Sequence, residues 1–230
     1  MDSVFTQKEP NTIRHLFARI AHRYDLANTL LSLGWDSLWR ANVGAKVKSW
    51  EPAAILDIAT GSGVLAYELK RQVPAARVVG ADFCPPMLAL ARRRGISELV
   101  VADGLALPFQ DARFDVVTIA FGLRNMASFD AALNEAGRVL RAGGHLLILD
   151  FSLPKPPLRT LYRIYLHHVL PVLAGWLTGE PDAYHYFAGT IEDFPKGKEM
   201  LELLRRCGFL SCESRSLTAG IVTVYTGQKA

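Results

Sequence analysis

Acidic residues close three apolar segments in the first half of the chain, and a glycine-rich turn follows the first of them. Asp57 lies near the end of the apolar segment 54–58, and Thr60-Gly61-Ser62-Gly63 comes next. Two glycines permit a sharp turn that brings bare backbone close to a ligand. A helix from about residue 64 to 72 would then direct the N–H groups of its first turn at that ligand. This arrangement predicts the binding site of a small-molecule cofactor.

The two later acids suit the sugar and the base of a nucleoside. Asp82 ends the apolar segment 76–81 and can accept hydrogen bonds from both hydroxyl groups of a ribose. Asp103 can accept a hydrogen bond from the amino group of adenine, while Leu105 would line a face of that ring. We predict a cofactor site that comprises Asp57, Thr60, Gly61, Ser62, Gly63, Asp82, Phe83, Asp103, Gly104 and Ala120.

The glycine turn by itself leaves two kinds of cofactor open. Residues 61–66 also fit the dinucleotide pattern G-x-G-x-x-G/A, with an acid at the expected distance, so an NAD-dependent oxidoreductase is an alternative. A carboxylate at Asp57 would repel a pyrophosphate, but it suits a sulfonium or an amino group. The three acids together favour S-adenosylmethionine as the cofactor and methyl transfer as the reaction.

The order of the predicted elements indicates an α/β fold. Apolar segments alternate with helical ones, which predicts a doubly wound, mostly parallel sheet of seven strands. The strands are expected at 54–58, 77–82, 98–102, 114–120, 144–150, 210–217 and 220–227, and the helices at 63–72, 85–94, 128–140 and 197–206. The last two strands can form an antiparallel hairpin around Thr218-Ala219-Gly220. We therefore expect a class I, Rossmann-like methyltransferase fold in a single domain, residues 1–230.

Two segments, residues 1–50 and 152–195, fall outside this alternation. Both are helical in pattern and rich in His, Tyr and Trp. They would join the sheet near the carboxyl ends of its strands, where open α/β sheets bind their ligands. These segments predict a helical lid that covers the substrate.

Composition limits the remaining classes. The chain has 230 residues, of which 50% are hydrophobic, enough for one sizeable core. Its net charge of +4 is dispersed, and Arg92-Arg93-Arg94, the tight basic cluster, is expected to end a solvated helix. We therefore expect no nucleic acid partner. Cys84, Cys207 and Cys212 lack metal-ligand spacing, which predicts no metal site.

The start of the sequence and its most apolar stretch indicate where in the cell the protein is expected. The start, Met1-Asp2-Ser3-Val4-Phe5, contains an acid and no apolar core, so we do not expect a secretory signal peptide. The most apolar later stretch, 169–177, is too short to span a bilayer. We expect a cytoplasmic protein that makes transient peripheral contact with the inner face of the membrane.

Several sequence blocks carry a family resemblance that extends over almost the whole chain. Among them are Tyr24-Asp25-Leu26-Ala27-Asn28, Phe121-Gly122-Leu123-Arg124-Asn125 and Asp150-Phe151-Ser152. With these blocks the chain resembles the UbiE/MenG methyltransferases, which C-methylate the quinol ring of menaquinone and ubiquinone precursors with S-adenosylmethionine. It departs from the family pattern at Ala27, Asp36 and Val64, where Met, His and Asp are usual. A methyltransferase that acts on another aromatic or lipid-like molecule is therefore an alternative.

The resemblance implies a prenylated quinol as the partner, demethylmenaquinol above all, and three catalytic residues. Arg124 is too basic to remove a proton, so it would stabilise a developing phenolate or position a water that removes the proton. Asn125 would hydrogen-bond the second oxygen of the ring, and Tyr24 would lie over the cofactor. Self-association of the chain is a further expectation from the resemblance.

Overall fold

A computed structural model defines the fold. It describes residues 34–178 and 181–230, without the side chains of residues 174, 176–178 and 181–186. Nearer the start it describes Arg14, His15, Ala18, Arg19, Ala21, Asp25, Asn28, Thr29 and Ser32. Tyr24, which we predict to lie over the cofactor, and Ala27 are outside the described residues.

Strands and helices alternate along the described chain. The strands are β1 (Ala54–Ile58), β2 (Arg77–Asp82), β3 (Glu98–Val101), β4 (Phe114–Ala120), β5 (Leu140–Phe151), β6 (Phe209–Leu217) and β7 (Val222–Lys229). The helices are α1 (Trp35–Lys48), α2 (Val64–Gln72), α3 (Pro85–Arg93), α4 (Phe129–Val139), α5 (Leu158–Ile164), α6 (Leu170–Thr178), α7 (Pro181–Asp193) and α8 (Lys198–Arg206). A π-helical turn, Tyr165–Val169, joins α5 to α6, and short 3₁₀ turns lie at Leu123–Asn125 and Thr218–Gly220.

The seven strands form one sheet in the order β3-β2-β1-β4-β5-β7-β6. Strands β1 to β5 run parallel, and β7 pairs antiparallel with both β5 and β6. The predicted seven-stranded, mostly parallel fold and its final hairpin are therefore confirmed. The strand order reverses between β1 and β4, and ligands of such sheets bind beside this reversal, at the carboxyl ends of the strands.

The central strand β1 is buried on both faces of the sheet. Ile55 and Leu56 are fully buried, and they point to opposite faces because side chains alternate along a strand. Ile55 packs in the cluster that includes α1 and α2, whereas Leu56 packs in the cluster that includes α4 and α8. Helices on both faces are typical of parallel sheets. The polar strand ends are thus held by two apolar layers.

Helix α1 lies inside the predicted cover segment 1–50, yet it belongs to the core. Trp39, Val43 and Val47 repeat every four residues on one face of the helix, and each is at most 4% exposed. They pack with Leu65 and Leu69 of α2 in one cluster. This face of α1 therefore packs against α2 in the core.

Strand β5 begins at Leu140 rather than at residue 144. Leu140 pairs with Phe114, and after a register shift His145 pairs with Val116. Gly143 and Gly144, at the predicted start of this strand, instead lie in an irregularity within it. Backbone pairing with β4 on both sides of this irregularity explains why the strand is longer than its apolar core.

The second predicted cover segment, 152–195, is helical as expected. Tyr162, Leu166 and Leu170 are buried at intervals of four residues and pack near Phe151, the last residue of β5. The helical run from α5 to α6 therefore lies against the carboxyl end of the sheet. In the described part of the chain, no helix combines the length and the apolar character needed to cross a membrane.

Candidate active site

A pocket of about 1080 Å³, its open mouth included, lies at the carboxyl ends of β1, β2 and β4. Its wall contains every residue of the predicted cofactor site except Gly63: Asp57, Thr60, Gly61, Ser62, Asp82, Phe83, Asp103, Gly104 and Ala120. Asn125, one of the three predicted catalytic residues, is also on the wall. The fold thus brings together the predicted site residues from Asp57 to Asn125, which are 68 positions apart in the sequence.

The two glycines of the turn have different roles. Gly61 has a φ of +57° and open space where a Cβ would lie, so its bare backbone faces the pocket. Gly63 has a φ of +78°, and a Cβ there would lie 2.8 Å from the Cβ of Ala91 in α3. We expected both glycines to approach the ligand, but Gly63 instead lets the turn pack against α3.

Asp57 is held by two hydroxyl groups. Its Oδ1 accepts a hydrogen bond from Thr118 Oγ1 at 2.6 Å, and its Oδ2 accepts one from Thr60 Oγ1 at 2.7 Å. Burial raises the pKa of Asp57 to about 6, although both hydrogen bonds and the nearby charge of Arg40 act in the opposite direction. The carboxylate is fixed in orientation, and each oxygen keeps a lone pair for a cationic ligand.

Asp82 ties the glycine turn to the end of β2. Its Oδ2 accepts a hydrogen bond from the backbone N–H of Gly61 at 2.8 Å, and its Oδ1 accepts one from the N–H of Cys84 at 2.9 Å. Burial raises the pKa of Asp82 to about 6 against these backbone bonds. Both oxygens therefore have a fixed position on the pocket wall, with lone pairs left for two further donors.

Asp103 lies on an exposed turn that lines the pocket. Its Oδ1 accepts a hydrogen bond from the N–H of Leu105 at 2.9 Å, which folds the loop back on itself. Leu105 is half-buried and lines the pocket beside Asp103, as the sequence predicted for a residue under a base. A polar acceptor and an apolar surface are thus adjacent.

Asp25 connects the start of the chain to the glycine turn. One of its oxygens accepts a hydrogen bond from Ser62 Oγ at 2.6 Å, and the other pairs with the guanidinium of Arg94 at 2.7 Å. Arg94 also donates to the backbone oxygen of Ser62 at 3.3 Å. We expected the whole triplet 92–94 to be solvated, but its last member reaches back to the pocket wall. Asp25 is part of the block Tyr24-Asp25-Leu26-Ala27-Asn28, which carries the family resemblance. The sequence around Arg94 contains no signal that it would pair with Asp25.

Arg40 is a pocket residue that the sequence reasoning missed. It lies on the wall, 8% exposed, and its Nη1 donates to Asp36 Oδ2 at 2.6 Å. The guanidinium also lies 5.5 Å from the centre of the Phe121 ring. Among the described residues of the wall, Arg40 supplies the positive charge. Its spacing of four residues from Asp36 on a helix was the available signal.

Arg124 lies behind the pocket wall and is only 2% exposed. Its Nη1 donates to the backbone oxygen of Phe121 at 2.7 Å and to Asp150 Oδ1 at 2.6 Å. The rings of Phe121, Phe151 and Phe187 surround the guanidinium, with centroids 4.8–6.0 Å away. The side chain that we predicted to contact the acceptor is thus enclosed by aromatic rings and an ion pair.

The Arg124–Asp150 pair is incompletely hydrogen-bonded within the described residues. Arg124 Nε and Asp150 Oδ2 are buried without a hydrogen-bond partner there. Burial raises the pKa of Asp150 above its usual value, although the charge of Arg124 acts in the opposite direction. Asn125, which follows Arg124 in the sequence, is part-buried. Its Nδ2 lies 3.5 Å from the backbone oxygen of Phe121, the same atom that accepts a hydrogen bond from Arg124. The pair therefore braces the short turn that presents Asn125 to the pocket.

Cys84 and the side chains that could bind a metal are the remaining reactive groups of the described chain. Cys84 is fully buried beside Met87, and burial raises the pKa of its thiol, so it is not an activated nucleophile. Within the described residues, no group of three or more His, Cys, Asp or Glu side chains is arranged to hold a metal ion.

Comparisons with known proteins agree with this geometry. The model of the ubiE/COQ5 methyltransferase family matches residues 5–229. The demethylmenaquinone methyltransferase of Thermus thermophilus is 45% identical, over 93% of this chain and 100% of its own. The demethylmenaquinone methyltransferase of Deinococcus radiodurans is 40% identical, over 97% of this chain and 95% of its own.

Solved structures show the same fold at low sequence identity. A SAM-dependent methyltransferase of Thermotoga maritima has a TM-score of 0.69 at 20% identity, over 94% of this chain and 99% of its own. Human N-acetylserotonin methyltransferase, in complex with SAM, has a TM-score of 0.58 at 17% identity, over 90% of this chain and 56% of its own. The class I methyltransferase fold is therefore confirmed, and the oxidoreductase alternative is not supported.

Proposed function

Because the chain belongs to the ubiE/COQ5 methyltransferase family, we propose that it methylates a ring carbon of a prenylated quinol, with S-adenosylmethionine as the donor. Demethylmenaquinol is the leading acceptor, since relatives at 40–45% identity are named for this activity. The observation that carries the proposal is the set of strand-end acids Asp57, Asp82 and Asp103, which share one pocket with the glycine turn.

The pocket offers a partner for each polar part of the donor. Asp82 accepts hydrogen bonds from the ribose hydroxyls, and Asp103 accepts one from the adenine amino group, with Leu105 under the ring. Asp57 faces the cationic end of the methionine moiety. Arg40 supplies the positive charge that pairs with the carboxylate of the methionine moiety. The charges of the wall are thus complementary to those of the ligand.

When bound, S-adenosylmethionine supplies an electrophilic methyl group, which leaves the sulfur for the ring carbon while the ring loses a proton to solvent. The residues of the chain hold the ring carbon in line with the methyl group, about 3–3.5 Å away, and exclude water. Asp25 supports this by fastening the start of the chain to Ser62 and Arg94 at the glycine turn.

Asn125 and Arg124 divide the work at the acceptor end of the pocket. Asn125 lies on the wall and donates from its amide to a ring oxygen. Arg124 acts through Asn125. The guanidinium of Arg124 donates hydrogen bonds to the backbone oxygen of Phe121 and to Asp150, and these bonds fix the 3₁₀ turn Leu123–Asn125. In this proposal Arg124 is a positioning residue. This positioning role replaces the direct contact between Arg124 and a phenolate that the resemblance implied.

The prenyl tail of such an acceptor partitions into a bilayer, so the chain meets its substrate at the inner face of the membrane. The contact is peripheral and transient. An aromatic or lipid-like acceptor without a quinol ring is the alternative, because Asp36 stands where His is usual in the family. Methylation assays that supply a labelled donor with a quinol and with a simple phenol separate the two acceptors.

Donor binding is tested most simply at Asp82. Asp82→Ala should weaken S-adenosylmethionine binding by about 1.5–3 kcal/mol, because a charged acceptor of two hydroxyl groups is lost. Calorimetric titration measures this change, with NADH as a comparison ligand that should give no binding heat. Asp111→Ala, an exposed acid outside the pocket, is the control and should bind as the wild type does. Affinity of Asp82→Ala within twofold of the wild type would refute the ribose assignment.

The same carboxylates predict a pH dependence of donor binding. The pKa values of Asp57 and Asp82 are both raised to about 6, and the ionised forms bind the donor. Donor affinity should therefore be complete well above pH 6 and fall as the pH is lowered through 6. At pH 5 we expect about tenfold weaker binding for each carboxylate that must be ionised. Asp82→Asn should remove part of this dependence, whereas a flat wild-type profile would contradict the proposal.

A further inference from the structure

The helical run from α5 to α6 exposes a row of large apolar side chains. Its outer face is defined by Leu158, Leu161, Ile164, Val169, Val172 and Leu173, which are 37–65% exposed. The other exposed large apolar side chains in the described chain are fewer on each element: Trp35 and Leu38 form a pair on α1, and Tyr67, Val101 and Leu210 lie on three separate elements. Scattered residues of this kind are normal, but a contiguous row marks an interaction surface.

The opposite face of the same run is buried. Tyr162, Leu166 and Leu170 pack in one cluster with Phe151 and Phe187. These two phenylalanines also contact the guanidinium of Arg124, and Phe151 lies 4.7 Å, between ring centroids, from Phe121 on the pocket wall. The helical run and its buried cluster therefore lie between the outer face and the acceptor end of the pocket.

Charge on this run identifies the partner. Between residues 152 and 178 the sequence contains no Asp or Glu, but it contains Lys155, Arg159 and Arg163. Lys155 and Arg159 are exposed, while Arg163 pairs with Glu192 of α7 at 2.6 Å. Two copies of the chain face to face would bring like charges together. Anionic lipid headgroups complement the charge, and acyl chains complement the apolar row.

We propose that the outer face of the run is the surface by which the chain docks on a bilayer that contains anionic lipid. The run lies in the plane of the interface, with its apolar row among the acyl chains and its basic side chains at the headgroups. This inference rests on the proposed function, since docking brings the run that packs beside the acceptor end of the pocket to the membrane that holds a prenylated acceptor.

Vesicle flotation tests the docking surface. Vesicles of phosphatidylcholine with phosphatidylglycerol, and vesicles of phosphatidylcholine alone, are mixed with the wild-type chain and with the double variant Leu161→Glu and Val172→Glu. The wild-type chain should float with the anionic vesicles, less with the neutral ones, and less at high salt. The double variant should bind anionic vesicles at least about tenfold more weakly, because two charges enter the apolar row.

The control is the double variant Val101→Glu and Leu210→Glu, which alters side chains that are 61% and 57% exposed on other elements. It should float as the wild type does. Unchanged flotation of Leu161→Glu and Val172→Glu, with S-adenosylmethionine binding intact, would overturn the proposal. A wild-type dimer in sedimentation velocity that this variant dissociates would also overturn it, in favour of a second copy of the chain.

A water-soluble, short-tailed quinol separates this inference from the proposed function. Methylation of that quinol needs no membrane, and flotation needs no chemistry. A chain that methylates the soluble quinol but does not float refutes the docking surface alone. A chain that floats but methylates no quinol refutes the proposed function and leaves the surface without its stated purpose.

Discussion

Arg124→Lys should lower turnover by about 10²-fold, the scale for misplacing a reactant by about 1 Å, while donor affinity stays within about twofold. The guanidinium joins the Phe121 backbone oxygen to Asp150 from one nitrogen and lies among three aromatic rings. A lysine keeps the charge but lacks the planar group that fills this site. The turn that carries Asn125 would then lose its brace, and the acceptor its orientation.

The matched control is Arg141→Lys, which makes the same exchange in an exposed pair with Asp115. It should leave turnover, KM and donor affinity close to wild-type values. Steady-state kinetics and calorimetry on both variants separate the possible outcomes. If Arg124→Lys keeps most of its turnover, positive charge alone suffices at this position. If it loses donor binding, Arg124 serves the cofactor site instead of Asn125.

Asp150→Asn should destabilise the fold by about 3–5 kcal/mol, because it leaves the positive charge of Arg124 buried without its partner. Both side chains of this pair are at most 2% exposed, and their nearest N–O distance is 2.6 Å. For a chain of this size the loss corresponds to a fall in melting temperature of roughly 6–20 °C. Thermal unfolding followed by circular dichroism measures the change.

Asp111→Asn is the control for the loss of a carboxylate from an ion pair. Asp111 pairs with Arg138 at the same distance of 2.6 Å, but its side chain is 76% exposed, so its melting temperature should move little. Equal, small shifts for the two variants would show that the Arg124–Asp150 pair does not brace the fold. The positioning role proposed for Arg124 would then lose its structural basis.

Most of the sheet could be predicted from the sequence because parallel strands that are buried on both faces appear as continuous apolar segments. The bounds of β1, β2 and β4 agree with the prediction. The early start of β5 could not be predicted, since it depends on pairing with Phe114 across an irregularity. Helix α1 was assigned to the cover because the apolar face that buries it is visible only once α2 is in place.

The set of residues that the fold gathers in the pocket was predicted more completely than the surroundings of Arg124. The acids of the pocket stand at strand ends, and the topology of a parallel sheet brings such ends together. Arg124 was read as a pocket residue because its sequence block resembles that of a family, yet its burial depends on Phe151 and Phe187, which are distant in sequence. Arg40 and Arg94 were missed, since their roles depend on where helices α1 and α3 lie against the glycine turn.

The central claim is that the chain transfers a methyl group from S-adenosylmethionine to a ring carbon of a prenylated quinol. The most direct measurement supplies a methyl-labelled donor, under reducing conditions, with demethylmenaquinol, a demethylated benzoquinol and a simple phenol, and locates the label in each product. We predict label on the ring carbon of demethylmenaquinol, in amounts that Arg124→Lys lowers about 10²-fold. Label on an oxygen atom, or on the phenol while both quinols stay unlabelled, would contradict the claim.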